Sequence, residues 1–192
     1  MKSNIISDEI LGIAKIILPP KKFQEDESLC EQYRDRKKQS HVKRTLWNIL
    51  SNKTPYSDIN AKAIDYAIYD LGHLSSRTRD IVERASASIE LLCYSLLVEN
   101  GGKYPSNDPF GTILIKLEKR NVLDSEFLSI LKRFNKCALV PAKHDYEINP
   151  DKQHLFSVDE AIFVLYIVTA LSRKLWPYFK EHTLFCSEEN WE

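Results

Sequence analysis

Between residues 76 and 100, apolar side chains stand at Ile81, Ala85, Ile89, Leu92 and Leu96, in steps of four, four, three and four. That is the period of an α-helix buried along one stripe. No proline or glycine interrupts it before Gly101 and Gly102 supply a stop. The other helices must cover such a stripe, and the rest of the chain supplies them. Five glycines in 192 residues are too few for the turns of a β-sandwich or a doubly wound sheet. The expected fold class is therefore all-α, a helical bundle. A length of 192 residues with 43% hydrophobic side chains supports one substantial core and makes two full domains marginal.

Further helices follow from local signals. A short one spans about residues 7–18 and ends at Pro19 and Pro20. Residues 24–51 carry few breakers and predict one long, charged helix. Ser57 or Asp58 caps a helix reaching about Leu74, and Asp124 caps another with Phe127, Leu131, Phe134 and Ala138 on one face. Ser157 and Glu160 form a capping-box pattern that opens a long apolar helix reaching Trp176. Residues 140–156, with Pro141 and Pro150, read as an extended loop. A boundary near Lys53, Thr54 and Pro55 divides an N-terminal helical extension, residues 1–55, from a helical core, residues 56–192.

Charge and cysteine usage exclude some classes. Twenty-seven basic residues balance 27 acidic ones, so nucleic-acid or membrane binding has no global excess of cations behind it. Any such role rests on a local patch. Four scattered cysteines without a CxxC pair read as reduced thiols, which makes a cytoplasmic location the expectation. The most apolar run, residues 161–171, is about half of what a membrane span needs, so no membrane association is expected.

No P-loop, GxGxxG, HExxH or GxSxG motif occurs. His144, Asp145, Asp151 and His154 lie close in sequence, but solvated loop residues fit them better than metal ligation, and no metal or cofactor is expected. Two basic clusters stand out. Arg34, Arg36, Lys37, Lys38, Lys43 and Arg44 fit either the wet face of a helix or a phosphate-binding surface. Lys132, Arg133, Lys136 and Lys143 end beside His144. An imidazole moves protons near neutral pH, and a neighbouring cation stabilises a charged phosphorane-like transition state. Together they are the minimum for metal-independent RNA cleavage through the 2′-hydroxyl. Glu90 suits either a surface role or pairing with a base from a neighbouring helix. Trp47 and Trp176 suit core or interface anchors better than base-stacking platforms.

The order of segments adds a resemblance. Arg79-Asp80-Ile81-Val82-Glu83-Arg84 runs on to Glu90-Leu91-Leu92. Ile113 to Leu117 and Asn121-Val122-Leu123 come next, then Leu128 to Asn135 and Lys143-His144, and the final apolar helix closes the series. Over about residues 76–175 this resembles the HEPN superfamily of small helical bundles, rich in abortive-infection proteins, toxins and other defence ribonucleases that act as dimers. The superfamily also holds inactive, nucleotide-binding and purely interacting members. The resemblance implies Arg133 and His144 as catalytic residues, with Asn135, Lys136 and Lys143 binding substrate. It implies a homodimer, with RNA or a protein as partner. Eleven residues separate Arg133 from His144, about 16 Å along a continuous helix. The expectation is therefore a break at Pro141 that folds His144 back toward Arg133.

Overall fold

The computed structural model of the protein describes residues 6–103, 108–143 and 156–179. Eight α-helices account for most of them, and no strand occurs among the described residues. The helices are α1 (Asp8–Ile17), α2 (Pro20–Arg34), α3 (Gln39–Asn48), α4 (Asp58–Asp70), α5 (Thr78–Glu99), α6 (Phe110–Lys119), α7 (Ser125–Phe134) and α8 (Val158–Leu175). Wider π-helical turns extend α3 (Ile49–Lys53) and α7 (Asn135–Leu139), and 3-10 turns follow α4 (Leu71–His73) and α8 (Trp176–Tyr178). The fold is an all-α bundle.

The final helix, α8, sits at its centre. Its side chains from Asp159 to Ser172 are all buried. A helix that is apolar nearly all round needs partners on every side, and α1, α2, α5 and the turn 49–53 supply them. Its start is pinned by the capping box: Ser157 Oγ accepts from Glu160 N at 3.0 Å, and Ser157 N donates to Glu160 Oε2 at 2.9 Å. The other oxygen of Glu160 accepts from Ser7 N at 3.1 Å, so the cap of the last helix also holds the start of the first. Farther along, Thr54 Oγ1 and Thr169 Oγ1 lie 2.7 Å apart, and Arg173 Nε donates to Lys53 O. One hydrophobic core takes in Ile10, Leu29 and Leu46 together with Ile89, Leu131 and Phe163, from both sides of residue 55.

Where a signal is local, the structure follows it. The stripe of α5 is fully buried, from Ile81 to Leu96. Gly101 ends its helix at φ 77°, which a residue without Cβ adopts at no steric cost. Asp124 caps α7 by accepting from Phe127 N at 2.7 Å. Pro20 opens α2, where a missing N–H costs nothing.

Two stretches differ from the sequence expectation. Residues 24–51 do not form one helix. The chain breaks after Arg34, where the Asp35 carboxylate accepts from Lys37 N at 3.0 Å and its carbonyl from Lys38 N at 2.9 Å. A short acidic side chain bonding the backbone two residues on competes with helix and turns the chain. The second is Pro141. Residues 140–143 are helical and continue α7 instead of starting a loop. The π-helical turn just before explains this: Val140 N reaches back five residues to Asn135 O. Widening the helix there relieves the clash a proline ring otherwise makes with the carbonyl four residues earlier. Among the described residues, no helix is long and apolar enough to cross a membrane.

Candidate functional site

The residues singled out by sequence lie on the helical run from α7 through Lys143. Arg133 is in the last turn of α7 and exposed; Asn135 and Lys136 open the π-helical turn; Lys143 ends the described run. His144, and with it Asp145, Asp151 and His154, lies outside the described residues. The expected break does not fall at Pro141, because the chain stays helical to Lys143; the course of His144 relative to Arg133 lies outside the described residues.

The run divides these residues between two cavities. Arg133 and Lys136 border one of about 390 Å³ together with Glu9, Cys137 and Pro141, against α1. Asn135 and Lys143 border another of about 340 Å³ together with Glu90, Phe110 and Gly111, against α5 and α6. Residues two apart on a helix point about 200° from each other, so Arg133 and Asn135 face opposite ways. The spacing Arg-x-Asn already carried that signal once both were placed on a helix.

The two cavities differ in electrostatics. Lys143 Nζ is ion-paired with Glu90, and Arg79 Nε donates to Ala142 O at 2.8 Å. Helix α5 therefore clamps the end of the run with one carboxylate and one guanidinium. Of the readings open to Glu90, pairing with a base of a neighbouring helix is the one observed. On the other side, Arg133 and Lys136 carry no ion pair among the described residues, whereas Lys132 is spent on Glu118 at 2.7 Å. The Arg133 guanidinium lies over the backbone of α1, where a Cβ on Gly12 would come within 3.2 Å of it. A glycine inside a helix marks such a close approach, and neither it nor Glu9 was singled out from sequence.

Cys137 borders the Arg133 cavity but does not supply a thiolate there. Burial, ahead of all other influences, pushes its thiol up to about 12, so it stays protonated at neutral pH. Glu9 is then the one carboxylate among the described residues lining that cavity.

No protein-family model, curated protein or solved structure matches the chain.

The basic cluster of residues 34–44 is divided as well. Arg34 is drawn to Asp159 of α8 at 2.6 Å, and Lys43 Nζ donates to Gly72 O at 2.7 Å. Arg36, Lys37, Lys38 and Arg44 remain on the surface. Of the two tryptophans, Trp176 is buried, whereas Trp47 is exposed. Among the described residues, no group of three or more His, Cys, Asp or Glu side chains is placed to hold a metal ion.

Proposed function

We propose that the protein is a HEPN-like effector of toxin or defence type that acts on RNA without a metal, gripping a backbone phosphate between Arg133 and Lys136. The supporting observation is the pair itself: two exposed cations without a carboxylate partner among the described residues, beside one cavity of about 390 Å³. Phosphate engages such groups through charge-assisted hydrogen bonds, and an arginine can do so with two parallel ones. In this reading Arg133 stabilises the charge that develops on the phosphorus oxygens, and His144 moves the proton. The run stays helical to Lys143, which favours a homodimer whose cleft combines Arg133 of one protomer with His144 of the other.

RNA cleavage by the purified full chain in EDTA tests this. Arg133→Ala is expected to lower kcat/KM by about 100-fold or more, and His144→Ala by a similar factor. Undiminished cleavage in both variants would sink the ribonuclease, as would a wild type that cleaves no RNA.

A second reading, a non-catalytic module that binds a protein or nucleotide, is favoured by the division of the site. Asn135 and Lys143 open onto the other cavity, and Lys143 is already neutralised by Glu90. It predicts a wild type that cleaves nothing but retains a ligand or partner.

A further inference from the structure

The cavity of about 390 Å³ between α1 and the end of α7 contains one charged group that the phosphate grip does not use. Glu9 lies in the first turn of α1 and is exposed. Gly12 and Ile13 follow it at three and four residues, so all three share one face of that helix. Arg133 crosses the same face: its Nη2 would stand 3.2 Å from a Cβ on Gly12. Glu9 is therefore about one turn, roughly 4.5 Å along the axis, from the level of the guanidinium. After burial and a backbone hydrogen bond, Glu9 pushes the Cys137 thiol up and Arg133 draws it down, so both charges lie near that sulfur.

Glu9 nevertheless makes no ion pair with Arg133 or Lys136 among the described residues. The helix dipole accounts for a carboxylate in the first turn of α1, and Asp8 already supplies one. It does not account for one that opens onto a cavity beside two cations. A bare phosphate there gains from Arg133 and Lys136 and loses to Glu9. A ligand suits all three when a hydrogen-bond donor sits next to its negative charge, because an ionised carboxylate can only accept. Charge narrows the class further. Two cations and one carboxylate leave a single positive charge. That matches the monoanion of an internal phosphodiester better than a terminal phosphate, which approaches a dianion.

We infer that this cavity reads the sugar of a nucleic-acid strand: Glu9 accepts a hydrogen bond from the ribose 2′-hydroxyl beside the phosphodiester that Arg133 and Lys136 hold. This rests on the phosphate grip proposed above and adds the part of the site that tells RNA from DNA. The 2′-hydroxyl is a donor close to the charge of a ribose phosphodiester, and deoxyribose lacks it. A cavity of this volume has room for about one nucleotide unit of a strand. With DNA, Glu9 faces the phosphate and receives no hydrogen bond, so only repulsion is left. Glu9 thus sets specificity, while Arg133 and Lys136 supply affinity for either sugar.

The test is fluorescence anisotropy of the full chain with a labelled 12-nucleotide oligouridylate and with its 2′-deoxy counterpart, in EDTA, in the cold and directly after mixing. Wild type is expected to bind the ribose probe about tenfold more tightly, the loss attached to one hydrogen bond on a charged acceptor. In Glu9→Ala the two affinities should come within about twofold of each other, and the deoxy probe should bind more tightly than to wild type, because a repelling charge is gone. Arg133→Ala should weaken both probes alike. A carboxylate with no part in sugar recognition would strengthen both probes equally when removed and leave their ratio unchanged; that result overturns Glu9 as the reader. Displacement of the ribose probe by uridine 3′-monophosphate at equal phosphate concentration would assign the site to a free ribonucleotide and overturn the strand. A wild type that binds neither probe removes the phosphate grip and the sugar reading together. Arg133-dependent binding without sugar preference removes the sugar reading alone, whereas a Glu9-dependent preference without cleavage keeps it and removes the ribonuclease.

Discussion

Asp26 on α2 and Asp70 at the end of α4 are both completely excluded from solvent, yet their surroundings are opposite. Asp70 receives a hydrogen bond from Arg77, and Arg84 Nε lies 3.1 Å from its second oxygen without the alignment of a hydrogen bond, so that contact is Coulombic. Among the described residues, Asp26 has no hydrogen-bond partner on either oxygen. Its neighbours are themselves acidic: burial above all, then Glu25, Asp159 and Glu27, hold its carboxyl well above the usual carboxylate range. The contrast teaches that burial alone does not set the charge of an acid. A paired carboxylate organises the helices around it through its cations, while an unpaired one persists by keeping its proton.

Breaking the paired side should have the largest effect. Asp70→Ala removes the group that joins the end of α4 to Arg77, just before α5, and to Arg84 on α5, and urea denaturation is expected to register a loss of about 2 kcal/mol, since the arginines it leaves behind are partly hydrated. An unchanged denaturation midpoint would mean that the pairing organises nothing.

The unpaired side should respond in the opposite sense, and with pH. The folded chain retains a proton on Asp26 that the unfolded chain releases once pH passes about 4. Stability therefore falls as pH rises from there toward the raised folded value. Asp26→Asn cannot ionise and should lose none of that stability. The gap between variant and wild type in thermal midpoint should widen in the variant's favour from pH 4 upward. Parallel curves for the two proteins would show that Asp26 is not held protonated.

A neutral buried pair gives the smallest effect and calibrates both. Thr54→Val removes the hydroxyl facing Thr169, and its expected cost is about 1 kcal/mol with no dependence on pH over the same range. A pH-dependent cost would place the Asp26 effect in doubt as a property of that carboxyl.

Legibility differed between fold and site for a physical reason. The α5 stripe, the Asp124 cap and the Ser157–Glu160 box are written within a few residues of one another, because helical periodicity and capping act over one turn. The break at Asp35 was equally local, but the charged run around it looked like continuous helix. Pro141 misled in the other direction: its usual effect is to end a helix, and only the wider turn over Asn135–Leu139 removes the clash. Arg133 and Lys136 were found from charge and do share a cavity. That Asn135 faces away followed from helical geometry, whereas Glu9 and Gly12 reach Arg133 from more than a hundred residues earlier in the chain.

By itself, the sequence determined that the chain is a helical bundle, where several of its helices start, and that its cations are balanced overall. Tertiary structure alone decided which cations are already spoken for. Arg34 goes to Asp159, Lys143 to Glu90, and Arg77 and Arg84 to Asp70, while Arg133 and Lys136 have no such partner among the described residues. Periodicity reports which face of a helix is buried, since that depends on the residue's own neighbours in the chain. Whether a charge meets its opposite depends on helices that pack from distant parts of the sequence, and no local pattern records that meeting.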